Sequence, residues 1–200
     1  GVVDSQDLHL NISRETLQHN TQLLAIARRV EKKIKQELEK MMKDEREEYI
    51  KFWENFGRNI KFGAYADYGQ HAQEVVDLLI FYSAKQEKMV SLQEYLEEMP
   101  GYDPAEADKP KDDSKAEDAE DKADDKGKQK YIYYAAGDSK ERMLSLPIVK
   151  TVLAKGFDVL ICTEDIDEFA LQTLQNYKGV EFKNVSNGDL EIETEKEKEE

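Results

Sequence analysis

"YIYYAAGDSKERMLSLPIVKTVLAKGFDVLICTEDIDEFALQTLQNYKGVEFKNVS", residues 131 to 186, is the stretch that decides the fold. YIYYAA (131 to 136) predicts a strand. The next segment, DSKERMLSLPIVKTVLAKG, predicts a helix interrupted near Pro147, whose ring removes an amide donor, and ended at Gly156. FDVLICT, with its apolar run VLIC, predicts a strand buried on both faces. DIDEFALQTLQNY predicts a further helix and VEFKNVS a further strand. Strand, helix, strand, helix, strand in such short order implies right-handed crossovers and a small, mainly parallel sheet. Its first turn, AAGDSK, holds the single glycine Gly137 and lacks the glycine-rich phosphate fingerprint, so dinucleotide binding there has weak support.

Upstream the period is helical. In residues 21 to 43 the apolar positions Leu23, Ala27, Val30, Ile34, Leu38 and Met41 fall at steps of three and four and draw one stripe. The next segment has Asp44 and Glu47 in capping-box register. It carries Tyr49, Phe52, Trp53, Phe56 and Ile60 on one face, with Gly63 as a natural stop. GQHAQEVVDLLIFY (69 to 82) predicts a third helix, with Ala72, Val75, Val76 and Leu79 lining one side. The short links favour a small antiparallel bundle. SLQEYLEEM adds another helix with Ser91 and Glu94 in capping-box register. The expected class is therefore α/β: a helical coil over 21–99, followed by a small three-layer αβα subdomain over 131–188 with a mainly parallel sheet.

Between these, Asp103 to Lys130 has no aromatic residue and no aliphatic side chain larger than alanine. Such a stretch cannot offset the ~1 to 2 kcal/mol per residue of backbone ordering entropy, so 100–130 reads as a disordered acidic loop and solvated linker. Residues 189–200 read as a charged tail. The chain begins Gly1-Val2-Val3 without an initiator methionine, as expected of a piece of something longer.

The 200 residues are 39% apolar, low for a fully compact chain, and carry 29 Lys and Arg against 44 Asp and Glu, a net charge of -15. Like-charge repulsion argues against a nucleic-acid or anionic-membrane surface and in favour of protein partners. No segment approaches the roughly 20 apolar residues of a membrane span. The single cysteine, Cys162, excludes an internal disulfide and fits a reducing, cytoplasmic setting. Lying in an apolar run, it reads as a small buried hydrophobe, since a reactive thiolate needs positive neighbours. His9, His19 and His71 are too scattered to suggest a metal site. Nothing here forms a self-contained catalytic constellation.

DLHLNISRET, residues 7 to 16, predicts a strand running into a turn and a helix start, with Asn11 and Ser13 as turn and cap formers. Arg14 falls in the first helical turn, where positive charge is mildly unfavourable. Two readings are open: a solvated side chain, or a planar, permanently charged donor fork suited to a phosphate.

Five blocks, GVVDSQDLHLNISRETLQ, FWENFGRNIKFG, VSLQEYLEEM, KYIYYAAGDS and KGFDVLICTEDIDEFALQTL, resemble in that order the heat-shock protein 90 chaperones, most closely their bacterial branch, HtpG. The resemblance covers almost the whole chain apart from the acidic loop, longer than the family's short link, and the last dozen residues. It implies the later part of the middle segment: the end of its larger α/β subdomain with the catalytic loop (1–20), the helical coil and the smaller α/β subdomain. It also implies that Arg14, in the N-x-S-R-E pattern, reaches the γ-phosphate of ATP when the dimer closes, with Gln18 as its polar companion. ATP and Mg would be bound mainly by a separate N-terminal domain, with no cofactor expected in this chain and no turnover by it alone. Implied partners are incompletely folded client proteins and the N-terminal ATPase and C-terminal dimerisation domains, the whole being a homodimer. Glu168, Phe169 and Gln172 resemble the client-contacting helix of the bacterial branch. Phe169 admits two readings, exposed to clients or packed under the small sheet. Trp53 does likewise, with its aromatic stripe favouring helix packing. Rival readings are a stand-alone α/β enzyme holding a small phosphorylated ligand at the AAGDSK turn, and a purely structural helical adaptor.

Overall fold

The computed structural model describes residues 21–70, 72–104 and 129–186. Arg14, Gln18, the three histidines, the acidic loop from 105 to 128 and the tail from 187 lie outside the described residues. The chain divides into two units, residues 1–49 and 50–200.

In the first unit, α1 (Thr21–Asp44) forms where expected, but its stripe is only partly turned inward, with Ala27 exposed. Leu23, Val30, Leu38 and Met41 are half-buried and Ile34 is exposed. Its outer face carries turn-spaced pairs, Lys33 to Glu37 at 2.6 Å and Lys35 to Glu39 at 3.6 Å. Such surface pairs add little, because solvent screens them. The helix ends at a one-residue joint: the Glu45 amide still donates to Met41, while its carbonyl accepts from Tyr49 and opens α2 (Arg46–Tyr65). This joint stands where a cap at Asp44 was expected.

The second unit holds most of α2 and everything after it. Gly63 does not stop α2, which continues to Tyr65 and into a 3₁₀ turn, Ala66–Gly69. The helix expected over 69 to 82 is corrected. One turn of helix, α3 (Ala72–Val75), and a 3₁₀ turn, Val76–Leu78, lead into a strand, β1 (Ile80–Ser83), which pairs with β2 (Lys88–Ser91). The physical reason lies in Leu79, Ile80 and Phe81, all buried, because a continuous apolar run serves a strand between two neighbours as well as it serves a helix. The coil read over 21–99 therefore contains a β-hairpin. α4 (Leu92–Glu97) starts as expected: the Glu94 amide donates to Ser91 Oγ at 3.2 Å and the Ser91 amide to Glu94 Oε2 at 2.7 Å.

Next come β3 (Ile132–Ala136), α5 (Lys140–Ser145), α6 (Pro147–Ala154), β4 (Val159–Cys162) and α7 (Asp165–Leu174). β5 (Asn176–Tyr177) and β6 (Val180–Asn184) complete the order. Pro147 splits the α5–α6 stretch, and Gly156 ends it at φ +85°. The sheet order is β2-β1-β4-β3-β6-β5. Its centre, β4-β3-β6, is parallel, and antiparallel pairings on both flanks make the whole sheet mixed. Alternation along the strands builds three layers. Tyr133, Ala135, Val159 and Ile161 pack with Met143 of α5 and Val149 and Val152 of α6. The alternate residues, Ile132, Tyr134, Leu160 and Cys162, face the side on which α7 packs with Ala170, Leu171 and Leu174 buried.

One polar knot crosses this core. Asp158, just before β4, accepts from Ser83 Oγ at 2.6 Å and from the amides of Lys85 and Val159 at 3.0 and 2.7 Å. The Tyr95 hydroxyl donates to the Asp158 carbonyl at 2.7 Å and accepts from Gln129 Nε2 at 2.7 Å and the Tyr133 amide at 3.1 Å. The knot ties the hairpin and α4 to the parallel strands while satisfying the buried groups.

Candidate functional site

The buried line of α2 within this unit is Trp53, Gly57, Lys61 and Ala64, rotated from the expected aromatic face: Phe56 is exposed and stacks on Phe52 at 5.2 Å. A Cβ on Gly57 would sit 2.7 Å from the Trp53 indole, so the glycine makes room for the ring. Trp53 is buried and serves helix packing.

One turn beyond Gly57, Lys61 is almost wholly buried. Its Nζ lies 2.6 Å from Asp167 Oδ1 and 3.6 Å from Glu164 Oε2, and it faces the rings of Trp53 and Phe81 at 5.4 and 5.7 Å. Burying an ammonium is costly unless charge and ring faces replace water, as here. The Asp167 oxygens divide their work. Oδ2 accepts the Glu164 amide at 3.1 Å, closing the first turn of α7; Oδ1 meets the Lys61 ammonium as an ion pair. Burial raises the Asp167 pKa above the ordinary aspartate range, with the Lys61 charge opposing that shift. Burial, with Asp167 nearby, also pushes the Cys162 thiol well up, leaving it the inert side chain expected.

Above this pair is a cleft of about 430 Å³, lined by Trp53, Phe81, Tyr82, Lys140, Glu164 and Asp167 among others. Lys140 lies over Tyr82 at 4.4 Å. With Glu54 also at its edge, the cleft sets three carboxylates against two ammonium groups, a poor balance for a phosphate. At the AAGDSK turn, a Cβ on Gly137 would meet Met143 Cε at 2.4 Å, Asp138 accepts from Arg142 at 3.0 Å, and Ser139 caps α5. That turn is shaped by its own helix start, which gives the phospho-ligand reading no support. Among the described residues no three His, Cys, Asp or Glu side chains converge as a metal site, and no helix is long and apolar enough to cross a membrane.

The other candidate is the outer face of α7. Glu168, Phe169 and Gln172 are brought together there: Glu168 Oε1 accepts from Gln172 Nε2 at 3.2 Å and from Asn184 Nδ2 at 2.9 Å. Phe169 is 51% exposed, which corrects the reading that packs it under the sheet. Its ring stands 5.7 Å from Tyr65 of α2, and Tyr65 stands 6.4 Å from Phe62. Sequence reasoning missed Lys61, Tyr65 and Phe62. The available signal was the four-residue step Trp53, Gly57, Lys61, which puts a lysine in line with a tryptophan and a glycine.

The Hsp90 protein family profile matches residues 1–104 and 109–200. The chain belongs to the Hsp90 family. Chaperone protein HtpG of Clostridium perfringens is 52% identical over 197 residues, covering 98% of this chain and 27% of that protein. Chaperone protein HtpG of Oceanobacillus iheyensis is 50% identical over 200 residues, covering 100% of this chain and 28% of that protein. The middle domain of a Plasmodium falciparum heat shock protein superposes with a TM-score of 0.62 at 26% identity, over 85% of this chain and 59% of that one. This Hsp90 chain thus spans about a quarter of the length of the curated relatives it matches, and what it spans is the middle segment.

Proposed function

We propose that this Hsp90 middle segment works in a cytoplasmic, homodimeric, ATP-dependent chaperone as the coupler between a nucleotide-binding domain and bound clients. The observation that carries the client half is Phe169, half-exposed between Glu168 and Gln172 on α7. A large aromatic left in water on a packed helix binds apolar segments without demanding a particular sequence. Loss of binding to an unfolded polypeptide on Phe169→Ser, with the fold retained, is the expected result; unchanged binding would remove α7 from the site.

The coupling half rests on family membership and on the N-x-S-R-E pattern around Arg14. ATP with Mg, held mainly by the N-terminal domain, supplies the phosphoryl chemistry. Arg14 would bring a permanently charged fork to that phosphate from a second domain, with Gln18 beside it. The test adds this chain to the isolated N-terminal domain and measures hydrolysis. Stimulation by wild type, lost with Arg14→Ala, is expected, and equal stimulation by both would overturn the coupling.

A further inference from the structure

Three contacts tie α2 and the turn that extends it to α7, in the same order along both segments. Lys61 meets Asp167, Tyr65 meets Phe169, and a Cβ on Gly69 would sit 2.6 Å from Thr173 Cγ2. Both series advance together, so the two segments run side by side in the same direction. The first contact is buried and the last is backbone close against a methyl group. The middle one is open: Tyr65 is 44% exposed and Phe169 51%, and Phe62, at 57%, carries the aromatic surface further along α2.

Rings held at fixed separation by a buried ion pair and a close glycine lose little freedom when something binds them. The surroundings select the occupant. α7 contains no Lys or Arg, and Asp165 and Glu168 stand four and one residues before Phe169, against one exposed cation, Arg58, one turn before Phe62 on α2. A segment carrying Lys or Arg between its apolar side chains complements that charge; an acidic one does not.

We propose that Tyr65 and Phe62 join Phe169 in one two-helix platform for unfolded segments of other proteins that are apolar and basic, with Lys61 as the positioning residue that holds the helices in register. This rests on the reading of α7 as a client site. The experiment measures anisotropy of a fluorescein-labelled, unstructured peptide of Leu, Phe and Lys on the 200-residue chain. A matching peptide with Glu for every Lys serves as the charge control. Tyr65→Ser and Phe169→Ser are each expected to weaken binding about five- to tenfold, the effect of losing one good aromatic contact. Phe56→Ser, an exposed ring earlier on α2 that stacks on Phe52 instead, is expected to change nothing, and the Glu peptide to bind at least about tenfold more weakly.

If Phe169→Ser has no effect, the α7 reading and the platform fall together. If it weakens binding while Tyr65→Ser does not, the platform falls and the α7 reading stands. Equal binding of the two peptides overturns the preference for basic segments. For Lys61, the pair Lys61→Met with Asp167→Leu keeps the core filled without charge. The folded double variant is expected to bind about threefold or more weakly, and wild-type affinity would overturn the positioning role.

Discussion

The ammonium of Lys61 lies 2.6 Å from Oδ1 of Asp167, with both side chains almost completely buried. Taking either partner away strands a charge in the core between α2 and α7. Lys61→Met is therefore expected to lower unfolding free energy by about 3 to 5 kcal/mol, whereas Lys61→Met with Asp167→Leu recovers most of the loss. Urea unfolding of the three chains checks this, and a double variant no more stable than the single one would show that the pair is not what fills the site.

The same pair has a pH signature. Because burial raises the folded-state pKa of Asp167 above its ordinary value near 3.8, the folded protein holds that proton more tightly than the unfolded chain. The stability it contributes is then full below the ordinary value and lost as pH rises through the folded one. Lys61 opposes the rise, so removing it widens the window upward. The deficit of Lys61→Met is expected to shrink on acidification from pH 7, where Asp167 can take up a proton and cease to be a buried charge. A deficit that does not shrink as the pH is lowered from 7 would contradict this.

Two glycines should respond differently to alanine. Gly69 has φ +78°, and its Cβ would collide with Thr173, whose hydroxyl is already committed to the Phe169 carbonyl at 2.8 Å. Gly69→Ala is expected to cost about 1 to 3 kcal/mol, only partly relieved by Thr173→Ala, since the backbone strain remains. At Gly137 the obstacle is the flexible end of Met143, and Gly137→Ala is expected to cost under about 1 kcal/mol. Thermal unfolding of both variants provides the comparison.

Tyr95→Phe removes one hydroxyl that serves the Asp158 carbonyl, Gln129 and the Tyr133 amide. Leaving such groups buried and unpaired is expected to cost about 1 to 3 kcal/mol in chemical denaturation. Burial first, and Asp158 second, hold the Tyr95 pKa above the ordinary tyrosine range. Its share of stability is thus present below the ordinary value near 10 and declines as pH climbs past it. The variant is expected to lose less stability between pH 9 and 11 than wild type does, an interval bracketing the ordinary tyrosine pKa of about 10.

The alternation of strand and helix over 131 to 186 was legible because each signal there is local. VLIC, the β4 strand itself, is apolar throughout since both of its faces are covered, Pro147 must break a helix, and Ser91 with Glu94 carries its own cap. The resemblance blocks, likewise contiguous in sequence, led to the family. The hairpin of β1 and β2 was not legible, because VVDLLIFY satisfies a helix stripe and a buried strand equally. Only a neighbour, β4, pairing with Tyr82 and Ser83, selects the strand.

What the amino-acid order determined by itself was therefore the parallel centre of the sheet, the long α1 and the identity of the family, all written in short-range periodicity and motif. The tertiary structure alone decided which face of α2 is inside. Periodicity assigns a lysine to water and a phenylalanine to the core; Phe56 is nonetheless outside and Lys61 inside. The reason is that Asp167, on a helix formed much later in the chain, supplies the charge that makes an ammonium tolerable in a dry place, and no local window on the sequence contains both groups.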